Sequence, residues 1–214
     1  MSAPLIVGHA AANSPESLAR MRPHCDVVEA DVRLFHRRLW VRHAKSLGPL
    51  PLFWDEGRPL SPGSRFPRLE RLLGDLDPTT PLMLDLKGLD PRMVRAILAA
   101  TEQRRRDAPL FMCARWWPTA DRLRDAPGVR VLHSVGSARQ LRRLMRRRRQ
   151  PEGVSIHQEL VDRETCRALR ARMSHLWTWP VDEPTRARQL IEWGVTGLIS
   201  NAPHRLADLR GTGR

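Results

Sequence analysis

Eight short apolar runs, each the length of one strand, recur from end to end of this chain: Leu5 to His9, Val27 to Val32, Leu82 to Lys87, Leu110 to Arg115, Val129 to Val135, Val154 to Gln158, Leu176 to Val181 and Gly197 to Asn201. Stretches with helical spacing separate them. Val94, Ile97, Leu98 and Thr101 fall at i, i+3, i+4 and i+7, Cys166, Leu169 and Met173 mark one face of another helix, and Leu190, Ile191 and Gly194 close a third. Nearly continuous apolar strands alternating with such helices imply a parallel sheet covered on both faces. Eight such units within 214 residues fit a compact α/β fold, the (β/α)8 TIM barrel, as one domain spanning residues 1–214.

Proline punctuation agrees. Ser14-Pro15-Glu16, Asp90-Pro91, Pro118 and Glu183-Pro184 place proline near a first helical turn, where its missing N–H costs little. The interval after the second strand is irregular. Leu39, Trp40 and Val41 form an extra extended piece, a Pro- and Gly-rich loop runs from Gly48 to Pro67, and a helix follows from Arg68 to Leu76. This short excursion is expected to be a lid or rim, with Phe53 and Trp54 capping a pocket or covering the barrel end.

Charge narrows the partners more than the fold. The chain carries 37 basic and 23 acidic residues, a net +14, and every Lys or Arg except Lys45 and Lys87 is arginine. Such an arginine excess fits a GC-rich coding background first and selection for guanidinium chemistry second. The summed field still attracts anionic partners, whether phosphate-bearing substrates, acidic membranes or nucleic acid. Cys25, Cys113 and Cys166 stand too far apart for a CxxC metal or redox motif, so reduced thiols are expected. The chain start lacks the cationic region of a signal peptide, and no apolar run reaches the roughly 18 residues of a membrane span, so a cytoplasmic location is expected.

In the second strand VVEADV sets Glu29 and Asp31 two residues apart, which points both carboxylates to one face, and LMLDLKG does the same with Asp85 and Lys87. Four ionisable groups then face the barrel interior, where charge needs a counter-charge or a metal. Spacing alone leaves two readings open. One is an oxygen-only cluster holding Mg2+ or Ca2+; the other is a salt-bridge network in which Lys87 neutralises one acid. His9 ends the first strand and His43 the extra segment, so both fall at strand carboxyl ends, where barrel enzymes keep their chemistry. A pair of imidazoles beside acids suits general acid and base catalysis. With His24, His36, His133, His157, His175 and His204 also present, frequency singles out neither.

The order of these residues resembles the glycerophosphodiester phosphodiesterases. GHAAANSPESLARMR is similar to that family's opening His-Arg-Gly and Pro-Glu-Asn-Thr elements, and VVEADVRLFHRRLWVRHA to its Glu-x-Asp strand and second histidine. LMLDLKG resembles its third-strand Glu-x-Lys element with Asp for Glu, and HLWTWPVDEPTRARQLIEWGVTGLISNAPHRL its Trp-Thr seventh strand, helix and closing strand. The likeness covers essentially the whole chain. It implies a barrel that uses one divalent cation, Mg2+ or Ca2+, to hydrolyse small-molecule glycerophosphodiesters to glycerol 3-phosphate and an alcohol. By position it makes His9 and His43 the acid–base pair, Glu29, Asp31 and Asp85 the metal ligands, Lys87 a phosphate contact, and Glu16 and Trp177 further substrate-binding residues.

Three positions depart from the pattern. The arginine after the first histidine is Ala10, the asparagine after Glu16 is Ser17, and the aspartate after the second histidine is Ala44. The first change removes a bidentate phosphate clamp, which Arg42, Arg33 or Arg115 could replace. The third removes a partner that would orient His43. Asp85 in place of Glu shortens the reach by about 1.5 Å. Two alternatives therefore stand beside the enzyme: a non-catalytic barrel that binds phosphate-bearing ligands or anionic surfaces, and a relative acting on lysophospholipids. Arg142, Arg143, Arg146, Arg147, Arg148 and Arg149, with Leu141, Leu144 and Met145 as an apolar stripe, read as a solvated outer helix, with docking to anionic lipid or RNA as the functional alternative. No dedicated nucleic-acid partner is expected, and peripheral contact with an anionic membrane suits the charge. Trp116 and Trp117 follow the fourth strand, and adjacent rings point apart, so at most one lines a pocket.

Overall fold

The computed structural model describes residues 3–46, 50, 52–55, 57–60, 66–108 and 110–210. Its strands in chain order are β1 (Leu5–Gly8), β2 (Val27–Phe35), β3 (Arg38–Val41), β4 (Lys45–Ser46), β5 (Phe53–Asp55), β6 (Arg58–Pro59), β7 (Leu82–Lys87), β8 (Leu110–Ala114), β9 (Val129–Val135), β10 (Gly153–His157), β11 (His175–Trp179) and β12 (Gly197–Ser200). The helices are α1 (Pro15–Met21), α2 (Leu69–Asp75), α3 (Arg92–Ala100), α4 (Arg104–Asp107), α5 (Trp117–Leu123), α6 (Ala138–Met145), α7 (Arg163–Arg170) and α8 (Pro184–Glu192). The expected apolar runs are β1, β2 and β7 to β12. They pair in parallel in that order and β12 returns to β1, closing a ring. The (β/α)8 expectation holds, with one reduction: a 3-10 segment, Pro203–Leu209, stands after β12 in place of an α-helix.

Side-chain alternation splits the core into two parts. Outward-facing Ile6, Val28, Leu84, Met112, Val154 and Leu198 pack beneath the helices, while Val7, Val27, Met83, Phe111, Cys113, Leu132, Trp177 and Ile199 fill the barrel. The Trp177 ring lies 4.5 Å from that of Phe111 and is 0% exposed, so a ligand finds no surface on it to touch. A Cβ on Gly197 would come within 2.5 Å of its indole. Trp177, the expected substrate contact, is packed into the barrel interior. All three cysteines are buried and unpaired.

Helix starts follow the proline reading. Ser14 caps α1, its hydroxyl accepting from the Ser17 N–H at 3.1 Å, with Pro15 in the first turn. The excursion begins when β3 folds back antiparallel on the upper half of β2. His36 and Arg37 make the turn, both with positive φ (48° and 62°), the primed geometry that suits strand twist. Strands β4, β5 and β6 form a separate small antiparallel sheet, and α2 lies within the expected helix. Of the expected loop, residues 48, 49, 51, 56 and 61–65 lie outside the described residues.

The ladder is short where β1 meets β2. β1 pairs with β2 only at Val7 with Val27 and Gly8 with Val28. Beyond that point the segment after β1 takes the strand's place: Ala12 N–H donates to Glu29 O at 2.9 Å, and Asp31 N–H to Asn13 Oδ1 at 2.9 Å.

Candidate active site

The register of β2 and β7 sets Asp31 beside Asp85 and Arg33 beside Lys87. Alternation then turns Glu29, Asp31 and Arg33 of β2 and Asp85 and Lys87 of β7 into the barrel mouth. One carboxylate oxygen from each of Glu29, Asp31 and Asp85 lies within 4.8 Å of the others. Lys87 hydrogen-bonds Asp85, and its ammonium lies 2.9 Å from Asp31 Oδ1 without the alignment of a hydrogen bond. Both readings of the spacing therefore describe part of the site. Lys87 is paired, yet three acids share one ammonium, and the buried oxygens Asp31 Oδ1 and Asp85 Oδ1 accept no hydrogen bond among the described residues. Orphaned acceptors in an all-oxygen set fit a hard divalent cation.

Electrostatics separates the three acids. Burial, and then the charges of Asp31 and Asp85, holds Glu29 well above the usual carboxylate range. Burial also pushes Asp31 up, but Lys87 and the Asn13 amide outweigh it and leave Asp31 below its ordinary value. Lys87 is disfavoured by burial and rescued by Asp85, Asp31 and Glu29, which raise it above the ordinary lysine range. The segment after β1 steadies the cluster. Ala10, in the left-handed region at φ 52°, donates its N–H to Glu29 Oε2 at 2.5 Å, and Asn13 Nδ2 donates to Asp31 Oδ2 at 2.7 Å.

Both expected histidines stand at this end, each held through Nδ1. Asn201 follows β12 and presents Oδ1 2.7 Å from His9 Nδ1. Its amide cannot turn freely, because Asn201 Nδ2 and N–H both donate to Asp182, at 3.1 and 2.8 Å. Oδ1 therefore faces His9 and accepts from Nδ1–H, which leaves Nε2 of the neutral ring as the proton acceptor. His43 Nδ1 is 2.5 Å from Asp55 Oδ1. Asp55, carried by β5, supplies the orienting carboxylate that the sequence lacks at Ala44.

Arg42 is enclosed by aromatic rings. The Arg42 guanidinium lies over Phe35, Phe53 and Phe66, at 5.2, 4.6 and 5.6 Å from their ring centres, and donates to Ala44 O at 2.7 Å. It is 3% exposed, and burial, with Arg33 nearby, lowers its pKa to about 10. Arg42 therefore pins the excursion to the barrel and leaves no face for substrate. Of the other two candidates, Arg33 Nε donates to His43 O at 3.1 Å, and a Cβ on Gly136 would lie 2.5 Å from the Arg115 guanidinium and 3.6 Å from the Trp179 ring. Glu16 is exposed in the first turn of α1. Trp117 is buried and Trp116 is 45% exposed. Asn13, Asp55, Asp182, Asn201 and Trp179 were not singled out from the sequence; a polar residue just past a strand's carboxyl end is the signal that marks Asn201.

No family model and no curated protein sequence matches the chain. Solved structures do. A glycerophosphodiester phosphodiesterase from Thermotoga maritima superposes with a TM-score of 0.73 at 15% identity, covering 98% of this chain and 100% of its own. One from Agrobacterium tumefaciens gives 0.69 at 19% identity, over 97% and 100%. An Oleispira antarctica phosphodiesterase in complex with the product sn-glycerol-3-phosphate gives 0.73 at 16% identity, over 97% and 96%. The fold is the one these phosphodiesterases share. At such identities the likeness speaks for the architecture, and the chemistry rests on the residues described above.

Proposed function

We propose that this chain is a metal-dependent phosphodiesterase that hydrolyses glycerophosphodiesters to glycerol 3-phosphate and an alcohol. One observation carries the reading: three carboxylates within 4.8 Å, two with unbonded buried oxygens, beside two histidines each held at Nδ1. The shared fold and the glycerol phosphate bound by the Oleispira relative support the substrate class. Glu29, Asp31 and Asp85 would hold one divalent cation, Mg2+ or Ca2+, which when bound supplies positive charge against the phosphoryl oxygens.

The chain's own groups divide the rest. Lys87 and Arg33 add positive charge at the mouth and orient the phosphate. His9, backed by the neutral Asn201 amide, keeps Nε2 free to take the proton of the attacking hydroxyl. His43, oriented by the Asp55 carboxylate, gives a proton to the leaving alcohol. The test is release of glycerol phosphate from glycerophosphocholine and glycerophosphoethanolamine with Mg2+, Ca2+ or EDTA. Metal-dependent turnover that vanishes in folded Glu29→Ala is the expected result; turnover that survives in that variant overturns the assignment.

A further inference from the structure

Among the described residues, the large apolar side chains that stand exposed are Leu50 and Leu52 (53% each), Trp54 (50%), Leu89 (68%) and Trp116 (45%). They are not scattered. Leu50, Leu52 and Trp54 belong to the excursion that follows β2, Leu89 follows β7 and Trp116 follows β8. Those strands are neighbours in the ring, so the five side chains share one half of the mouth. Single exposed apolar residues are ordinary, whereas a group gathered on one rim marks an interaction surface.

The same half of the rim is cationic. The apolar half carries exposed Arg37, Arg38, Lys45, Arg58 and Arg115. Its described acids are engaged, Asp55 with His43 and Asp90 with Arg92. Across the mouth, Glu159 after β10 lies 3.8 Å from His157 and Glu183 after β11 pairs with Arg205 at 2.8 Å, so the cationic excess of the apolar half rests on its own cations and not on free acids opposite. Leucine and tryptophan interleaved with cations, beside a site for phosphodiesters, complement an anionic lipid surface in both apolarity and charge. No described helix is long and apolar enough to cross a membrane, so contact would be peripheral.

We infer that the β2–β7–β8 half of the barrel mouth docks on anionic phospholipid, with Trp54, Leu89 and Trp116 entering the interface. The inference gives the proposed phosphodiesterase an interfacial substrate supply, but its test requires no turnover.

The experiment is co-sedimentation with vesicles of phosphatidylcholine alone or mixed with phosphatidylglycerol. Binding is expected with the anionic mixture only, with tryptophan fluorescence quenched by brominated acyl chains. The Leu89→Ser/Trp116→Ser double variant should bind about tenfold more weakly, since the lost apolar insertion is what charge alone cannot replace. Arg142→Gln/Arg146→Gln, on exposed positions of α6 and its C-cap, should change binding less than about threefold because charge there is outside the docking face. Glu29→Gln should bind vesicles like the parent, which separates a failure of docking from a failure of catalysis. Binding to neutral vesicles as strong as to anionic ones, binding without quenching, loss only in the α6 variant, or no binding at all would each overturn the inference. Quenching in the parent protein decides the matter even where the double variant does not fold.

Discussion

Asp55 reaches across from β5 to accept a hydrogen bond from His43 Nδ1 at 2.5 Å, so a residue of the excursion positions a histidine expected to handle protons. Asp55→Asn keeps the shape and removes the charge behind the ring. On the proposed mechanism kcat falls about tenfold to a hundredfold while KM changes little, because the group lost acts on proton transfer. Equal kcat in parent and variant would remove His43 from the proton-donating role.

The corresponding support of His9 is open to spectroscopy. With Asn201 Oδ1 turned inward by Asp182, 15N shifts of the His9 ring at high pH should show the Nδ1–H form. In Asn201→Leu that preference should give way to a mixture. A dominant Nε2–H form in the parent protein would contradict the base role assigned to Nε2.

Cation binding should be visible without substrate. Mg2+ or Ca2+ at about 100 times Kd stabilises by about 2.7 kcal/mol through binding linkage, and Asp85→Asn should abolish most of that gain. Because Glu29 holds its proton above the usual carboxylate range, binding should release protons and tighten as pH rises. Calorimetry in buffers of different ionisation enthalpy reads the release directly.

Arg42 and Arg33 should part company. Arg42→Ala breaks the contacts with Phe35, Phe53 and Phe66 and leaves Ala44 O without its donor. The cost should be about 1–3 kcal/mol of stability. Arg33→Ala should instead raise KM with a smaller change in unfolding midpoint. The reverse pattern would return Arg42 to the phosphate.

His133 gives the pH dependence. It is fully buried, stacked on Trp117 at 5.1 Å, and burial, against the pull of Asp121, lowers its pKa to about 4. Between the unfolded value near 6.5 and the folded value near 4, the unfolded chain binds the proton first. Its contribution is therefore complete above about pH 6.5 and lost as pH falls towards 4, at most on the order of 3 kcal/mol. His133→Gln should flatten stability over that window in denaturant titrations; an unchanged slope would rule out the linkage.

The ring was legible because buried parallel strands write themselves as apolar runs, and the acids because a period of two fixes which side chains share a face. Depth is absent from that period. Trp177 has the parity of an interior residue, but only its contact with Phe111 and Gly197 shows how deeply it is packed. Arg42 sits beside His43 in sequence, while the three rings that enclose it come from separate segments at 35, 53 and 66. Asp55 and the Asp182–Asn201 pair depend on how loops close in space, which no local pattern records.

The excursion after β2 divides the site by its mechanical ties. Asp31 and Asp85 lie in a continuous ladder, whereas His43 and Asp55 belong to a segment tied back through contacts such as Val41 N–H to Pro67 O at 2.9 Å and Arg42 N–H to Asp31 O at 2.8 Å. Deuterium uptake should follow that division, with the amides of the acidic strands exchanging only when the whole barrel opens and those of the excursion exchanging through far smaller fluctuations. The cation cradle and His9 then outlast the His43–Asp55 pair, and a chain that has let go of its excursion still keeps the carboxylates in place for its return.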